Sequence, residues 1–173
     1  MMPIGEWFTP TRGSGIVAYG VAVTSSGIAW ARSRALQRSA RIASLVTVIE
    51  GALLFDMLID GRWMLHRLLI DHAVREHEYV LRRAPQSIAV AILVGLLLVG
   101  LLCALRFFRT RIGALLAVSG VLFSLFSWCI EVVSLHAIDA IFYHPVGKIM
   151  AVSIVWILAC SMTSIGILIA SSA

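Results

Sequence analysis

The chain has 173 residues, of which 60% are hydrophobic and only 13% are charged, and its mean hydropathy is +0.96. A soluble domain carries about 25% charged residues, so this composition excludes an ordinary soluble protein and leaves room for one compact membrane unit. The formal net charge of +5 does not require a nucleic-acid partner, because the positive-inside rule explains basic residues in short loops between apolar runs.

Five apolar runs approach or exceed the length of about 20 residues that a helix needs to cross a bilayer. In chain order they are residues 15–31, 42–60, 87–105, 112–135 and 149–170. The first run could instead be a signal peptide, but arginines follow it rather than precede it, so we expect a retained span. Backbone groups in lipid must be satisfied within the chain, so the predicted fold class is an all-α integral membrane bundle.

Arginines mark one side of this bundle. Seven of them, with no acidic residue between, lie in the segments that join the first run to the second and the third to the fourth: Arg32, Arg34, Arg38, Arg41, Arg106, Arg109 and Arg111. The positive-inside rule places these segments and the C-terminus in the cytoplasm, and the N-terminus, residues 61–86 and residues 136–148 outside. Thirteen arginines against one lysine, with no asparagine, favour a bacterial chain and hence the inner membrane.

Small residues form a stripe along the fourth run. At steps of four and three, which keep to one helix face, that run carries Gly113, Ala117, Gly120, Ser124, Ser127, Glu131 and Ser134. Small stripes let helices approach closely in lipid, so we expect Glu131 to face protein. Ala18, Ala22 and Ser26, spaced four apart, predict a similar face on the first run.

The segment 62–83 is long and does not span the membrane. At 100° per residue its charged side chains fall on one face, with signs that alternate as i,i+3 and i,i+4 pairs: Arg67, Asp71, Arg75, Glu78 and Arg82. The rest of its circumference is largely apolar, which predicts an amphipathic helix on the outer membrane surface or over the bundle. Gly61 and Pro85 are expected to mark its ends.

Three carboxylates occupy the second run. Glu50 lies near its centre, where an ionised carboxylate is costly, so we expect it to face the bundle and to be protonated or hydrogen-bonded. It predicts either a proton or cation relay or a structural tie to Thr24, Ser25 or Ser153. Asp56 and Asp60 lie near the outer end, where Asp60 could pair with Arg62.

The outward segments hold all five histidines of the chain. Together with nearby carboxylates they suggest a metal site, for which the candidate ligands are His66, His72, Glu76, His77, Glu131, His136 and Asp139. A haem held by histidines and a quinone head-group pocket are alternatives, and hydrogen-bonded interfacial histidines would need no ligand at all. The identity of any cofactor stays unknown.

Other chemistry has little support in the sequence. No G-x-S-x-G motif and no phosphate-binding glycine loop is present, so we expect no enzyme. Cys103, Cys129 and Cys160 lie at different depths in the last three runs, which excludes close pairing, and they are expected to be buried small residues.

Two outward segments resemble a group of small bacterial multi-pass membrane proteins of unknown activity. Arg62, Trp63, Leu65 and His66 match the group's Arg-Trp-x-Leu-His start, and Tyr79 with the pair Arg82–Arg83 corresponds to its Tyr-x-x-Arg-Arg end. Ser134, His136 and Asp139 match a later Ser-Phe/Leu-His…Asp element. The resemblance implies that these outward segments are more than connecting loops.

The sequence therefore predicts five membrane spans and one amphipathic helix in a single domain, residues 1–173. Three functions remain open. The first is a non-catalytic accessory or assembly subunit of a larger membrane complex, which would pack on other subunits or on itself through small-residue faces. The second is a metal, haem or quinone-binding redox protein, and the third is a proton or cation conductor through Glu50.

Overall fold

The computed structural model describes residues 9–33, 37–75 and 83–172. Within these ranges the chain forms helices α1 (Pro10–Arg32), α2 (Gln37–Ile59), α3 (Gly61–Arg75), α4 (Arg83–Phe108), α5 (Ile112–Val133), α6 (His136–Phe142) and α7 (Ala151–Ser172). Strands β1 (Pro145–Val146) and β2 (Ile149–Met150) form an antiparallel hairpin between α6 and α7, in which Pro145 lies opposite Met150.

Five of these helices, namely α1, α2 from Ala40, α4, α5 and α7, are long and apolar enough to cross a membrane. The predicted fold class, an all-α membrane bundle, is confirmed. The first run lies in a helix of 23 residues. Its N-terminus is well defined, because Thr9 accepts a hydrogen bond from the backbone of Arg12 and Pro10 occupies the first turn, where its missing N–H costs nothing.

The helices α1, α2, α5 and α7 enclose the core. The small stripe predicted on α5 is buried from Gly113 to Glu131, and Ala18, Ala22 and Ser26 are buried on α1. The helix α4 contacts chiefly α5 and lies at the periphery. Small side chains therefore set the close helix packing, as expected in lipid.

Two ends of the bundle can be distinguished. Thr11 at the start of α1 accepts a hydrogen bond from the backbone of Met150, while Gly113 at the start of α5 contacts Ala170 near the end of α7. We call the first the α3 end, because α3, α6 and the hairpin lie there, and the second the arginine end. The arginine end carries, among the residues whose side chains are described, Arg32, Arg41, Arg106, Arg109 and Arg111.

The amphipathic helix differs from its predicted bounds. The described part, α3, exposes Arg67, Asp71 and Arg75 as predicted. Residues 76–82 lie outside the described ranges, and Arg83 already belongs to α4. Pro85 does not end a helix but lies in the first turn of α4, where a proline removes no intrahelical hydrogen bond.

Two other helix ends are set by local backbone geometry. The helix α5 stops at Val133, two residues before the predicted end, because Ser134 adopts a left-handed conformation with φ of 50°. The helix α7 begins at Ala151, since Ile149 and Met150 belong to the hairpin.

Candidate functional site

A buried ion-pair network lies near the α3 end of the bundle. The Arg62 side chain is 4% exposed and donates from Nε to Asp56 Oδ2 and from Nη1 to Glu131 Oε1, both at 2.8 Å. Its guanidinium carbon lies 5.3 Å from the centre of the Trp156 ring, a distance typical of cation–π contact. The guanidinium of Arg62 therefore connects its own helix, α3, with residues of α2, α5 and α7.

The predicted pairing of Asp60 with Arg62 is wrong. Asp60 lies 3.6 Å from Arg12 instead, and Arg12 also donates to the carbonyl oxygens of Met57 and Leu58 at the end of α2. Asp60 has φ of 62°, a left-handed conformation that aspartate tolerates better than most residues. This turn sends α3 back over the bundle, so that Arg62 in its first turn points inward.

Gly61 makes room for the Asp56 carboxylate. A Cβ at position 61 would lie 2.7 Å from Asp56 Oδ1, much closer than a carbon and an oxygen can approach. A side chain at position 61 would therefore require the Asp56 carboxylate to shift from the position in which it binds Arg62.

The surroundings fix the charge of this network. Burial by itself lowers the pKa of Arg62, but the negative charges of Glu131 and Asp56 and the nearby Tyr19 outweigh it, and the pKa is raised. Glu131 Oε1 accepts from Arg62, from Trp156 Nε1 at 3.0 Å and from Ser127 Oγ at 3.4 Å. An oxygen that accepts from three donors belongs to an ionised carboxylate.

Glu50 lies deeper, and its hydrogen-bonding neighbours among the described residues are uncharged. It is 0% exposed, and its Oε1 lies 3.1 Å from Thr163 Oγ1 and 3.3 Å from Ser124 Oγ, while Cys160 Sγ lies 4.0 Å from Oε2. Burial in the bundle is as predicted, but the expected partners Thr24, Ser25 and Ser153 are wrong. Glu50 connects α2 with α5 and α7 instead.

The single hydroxyl hydrogen of Thr163 indicates the protonation state of Glu50. Thr163 Oγ1 lies 3.1 Å both from Glu50 Oε1 and from the carbonyl oxygen of Ala159, yet a hydroxyl has one hydrogen. When Thr163 donates to the carbonyl, only a protonated Glu50 can complete the second contact. A neutral carboxyl is also the form that a buried group without a counter-ion adopts.

Each of the two buried carboxyl groups accepts a hydrogen bond from a serine of α5. Ser127, which donates to Glu131, and Ser124, which donates to Glu50, are three residues apart on the buried face of α5. The Tyr19 side chain is fully buried in the same core, and among the described residues its hydroxyl has no hydrogen-bond partner. We call the set Glu131, Ser127, Tyr19, Ser124 and Glu50 the polar chain.

On the arginine side of Glu50 the core holds an apolar cluster that consists of Ala29, Ala43, Val46, Ala117, Val121 and Ile167. The serines Ser26, Ser119 and Ser164 are also buried on that side, but among the described residues none of them makes a hydrogen bond to Glu50. The polar chain as defined therefore ends at Glu50.

The structure does not gather the candidate metal ligands that it describes. His72 and His136 are exposed, Glu131 is bound to Arg62, and Asp139 accepts a short hydrogen bond from Ser134 Oγ. His66 contacts the carbonyl oxygen of Val132. Among residues 9–33, 37–75 and 83–172 no three His, Cys, Asp or Glu side chains stand together as a metal site. Glu76 and His77 lie outside these ranges, so a site that includes them stays a prediction.

Aromatic side chains cover the network at the α3 end. The Trp63 ring lies 5.8 Å from that of Tyr143 and 5.6 Å, edge to face, from that of His66. Burial and the carboxylates of Glu131 and Asp139 raise the pKa of the Tyr143 phenol, so Tyr143 stays neutral over the physiological range. Sequence reasoning named Arg62 only as a possible partner of Asp60 and missed its buried position between Asp56 and Glu131. The carboxylates near the end of the second run were a usable signal for a buried cation.

The three cysteines of the sequence are free thiols. Only Cys160 is buried, and the expectation that all three are buried is wrong, because Cys103 is exposed on the outer face of α4.

Comparison with protein families, with curated proteins and with solved structures finds no match to this chain. The geometry of the polar chain is therefore the main guide to function.

Proposed function

We propose that this protein is a proton-binding component of the bacterial inner membrane, in which Glu50 takes up and releases a proton through the polar chain. Basic residues without acidic neighbours at the arginine end support a cytoplasmic location for that end. The α3 end, with Arg62 and Glu131, then faces the periplasm. Proton exchange at Glu50 takes place with that side.

The observation that carries this proposal is the presence of two buried carboxyl groups, one beside a cation and the other beside uncharged groups. Glu131 accepts on one oxygen from three donors, one of which is the Arg62 cation, whereas the hydrogen-bonding neighbours of Glu50 among the described residues are hydroxyl and thiol groups. Environments that push two carboxyl groups toward different protonation states are typical of proton-transfer sites. An ionisable residue within a span is itself a functional candidate.

The apolar cluster on the other side of Glu50 limits what a single chain can do. Ala43, Val46, Ala117 and Val121 offer a proton no polar partner. Among the described residues, none of the buried serines Ser26, Ser119 and Ser164 on that side makes a hydrogen bond to Glu50. We therefore expect a single chain in this conformation to bind protons from one side and not to conduct them across the bilayer. Net transport would need a second conformation or an oligomer.

Infrared spectroscopy of the purified protein tests the proposal. We expect a carboxylic-acid C=O band that shifts in D₂O, that disappears in Glu50→Gln and that persists in Glu131→Gln. Ser127→Ala should slow the deuterium shift of this band, because it interrupts the polar chain. Ser119→Ala is the matched control, since Ser119 is buried on the same helix but makes no hydrogen bond to either carboxyl group.

Two outcomes would reject the proposal. One is a spectrum whose protonated-carboxyl band survives in Glu50→Gln. The other is deuterium exchange at Glu50 that is equally fast in wild type, Ser127→Ala and Ser119→Ala. Proteoliposomes with the isolated chain should show proton leakage equal to that of empty liposomes, and leakage lost in Glu50→Gln would contradict the closed apolar side.

A second function, the accessory or assembly subunit, is favoured by the helix α4. Only 6% of the residues in an 18-residue apolar stretch of α4 are buried, and this share is the smallest among the five candidate spans. Ala104 alone is fully buried on this helix. Almost the whole circumference of α4 is therefore available to another membrane helix.

Native Cys103 offers a direct test of this second function, because it is exposed on α4. A bifunctional maleimide added to native membranes should link Cys103 to a partner, and the adduct should be absent in Cys103→Ser. Gly20→Cys in α1, where a side chain meets no neighbour, is a control for chance collision in the bilayer. Equal adducts from both positions, or none from Cys103, would count against a partner on α4.

A further inference from the structure

A cavity of about 300 Å³ lies between α3, the first turns of α4 and the last turn of α5. Its walls are formed by apolar side chains, among them Leu69, Ile70, Ala89 and Val132, and two polar side chains, His66 and Gln86, also line it. This cavity is separate from the polar chain and opens at the α3 end.

In each polar side chain one nitrogen contacts backbone carbonyl oxygens at the C-terminal end of α5, and the other hydrogen-bonding atom is left for a ligand. His66 Nδ1 lies 3.1 Å from the carbonyl oxygen of Val132. A carbonyl oxygen only accepts, so Nδ1 carries the hydrogen, and Nε2 of the neutral ring is an acceptor. Gln86 donates from Nε2 to the carbonyl oxygens of Val133 at 3.1 Å and Ser134 at 3.2 Å, which leaves Oε1 as an acceptor.

We propose that this cavity binds the head group of a membrane-soluble hydroquinone. Two acceptors, His66 Nε2 and Gln86 Oε1, suit a flat apolar ring that carries hydroxyl donors. Mostly apolar walls with few polar groups are typical of small-molecule sites. The site goes beyond proton binding at Glu50 and does not depend on it.

The charge of the walls argues against a phospholipid head group. None of the described residues that line the cavity is charged, and a phosphate buried there would lack a counter-ion. An isoprenoid tail, by contrast, has an apolar path along the helix, because Ile92 and Leu96 are exposed on α4 beyond Ala89. The ligand class is therefore a neutral donor with a hydrocarbon tail.

The same acceptors distinguish the reduced ligand from the oxidised one. A quinone carries carbonyl oxygens, which accept, and these cannot pair with Nε2 of a neutral imidazole or with Oε1. A hydroquinone donates to both. Since a net hydrogen bond contributes about 1 kcal/mol, we expect the reduced form to bind at least about fivefold more tightly.

The test measures binding of a short-chain ubiquinol analogue, kept reduced, and of its oxidised form to the full chain in phosphatidylcholine nanodiscs. Ala89→Phe should abolish binding of the reduced form, because it fills the cavity and leaves the hydrogen bonds of His66 and Gln86 to α5 in place. His72→Ala, an exposed histidine of the same helix, should bind as wild type does.

Gln86→Leu supplies a second variant, for which we expect a loss of affinity of at least about fivefold. Equal affinity for the reduced and oxidised forms would overturn the proposal, as would binding that survives Ala89→Phe. Stabilisation by phosphatidylethanolamine that is lost in Ala89→Phe, with no response to the hydroquinone, would identify a lipid amine as the occupant and overturn it as well.

Discussion

At the scale of single residues, the protein holds two carboxyl groups in its interior and gives them different neighbours. Glu131 faces Arg62, an indole N–H and a hydroxyl, so its negative charge is matched. Glu50 faces only hydroxyl groups and a thiol, which can exchange hydrogen bonds with a neutral acid. The contrast follows from depth, since Arg62 enters the bundle from the α3 end and does not reach Glu50.

If Glu50 is protonated, glutamine should replace it at little cost. Glu50→Gln keeps the size, the neutral charge and both kinds of hydrogen-bonding atom, so we expect the free energy of unfolding to change by less than about 1 kcal/mol. Glu50→Leu should cost about 1–3 kcal/mol, because Ser124 and Thr163 lose a buried partner. Unfolding in mixed micelles with increasing SDS measures both, and a large loss in Glu50→Gln would indicate that the carboxylate is ionised.

In the ion-pair network, by contrast, loss of a charged side chain should cost much stability. Arg62→Met leaves Glu131 and Asp56 buried without their cation, and removal of one partner of a buried pair costs about 3–5 kcal/mol. Adding Glu131→Gln to this variant removes the unmatched charge and should restore a large part of the stability. Comparison of both single variants with the double variant in the same unfolding experiment gives the coupling free energy. Additive losses would show that the two residues do not interact.

Much of this residue-scale arrangement was accessible from the sequence, and one part was not. The stripe on α5 predicted that Glu131 faces protein, and the depth of Glu50 predicted a buried carboxyl, because both follow from helix periodicity and lipid solvation. The role of Arg62 was not predictable in this way. It depends on the left-handed turn at Asp60, and no periodic pattern encodes the direction in which a chain leaves a turn.

At the scale of helices, α5 and α7 pack with their backbones in close contact at three glycines. A Cβ at Gly120 would lie 2.6 Å from the carbonyl oxygen of Ala159, and one at Gly113 would lie 2.8 Å from that of Gly166. A Cβ at Gly166 would in turn meet the backbone of Ala117 and Gly113. This contact holds Ser124 and Thr163 on facing helices, so it also positions both hydroxyl groups at Glu50.

Alanine substitution at a packed glycine and at an exposed glycine should therefore distinguish the effect of helix contact on stability from the effect of helix propensity. Gly120→Ala forces α5 and α7 apart, and we expect a loss of about 1–3 kcal/mol from overpacking. Gly95→Ala on α4 meets no neighbour within 4 Å and should gain roughly 0.5–1 kcal/mol, since alanine favours a helix over glycine. Both are read from unfolding in SDS micelles. A Gly120→Ala protein as stable as Gly95→Ala would contradict close packing of these helices.

Element-scale prediction succeeded where hydropathy alone decides and failed where a local turn decides. Each predicted span lies largely within an observed helix, because burial of apolar side chains in lipid requires no tertiary information. The helix ends differ by two to five residues at Ser134, Ala151 and Pro10. At those positions a left-handed residue, a short hairpin and a threonine cap determine where the helix begins or ends.

At the scale of the whole molecule, alternation of the spans separates two surfaces. Basic residues occur at both ends, so their number alone does not orient the protein. At the α3 end, however, Arg12 and Arg62 are paired with Asp60, Asp56 and Glu131. Arg32, Arg41, Arg109 and Arg111 at the arginine end have no acidic residue in the connecting segments.

This difference predicts that the arginine end faces the cytoplasm. In a variant whose native cysteines are replaced by serine, Thr110→Cys should resist a membrane-impermeant maleimide in intact spheroplasts and react after lysis. Lys148→Cys, exposed in the hairpin at the α3 end, should react in both samples and serves as the matched control. Free arginines resist translocation because the retained cation is costly to move across the bilayer. Labelling of Thr110→Cys in intact spheroplasts, with Lys148→Cys protected, would reverse the orientation and place the approach to Glu50 on the cytoplasmic side.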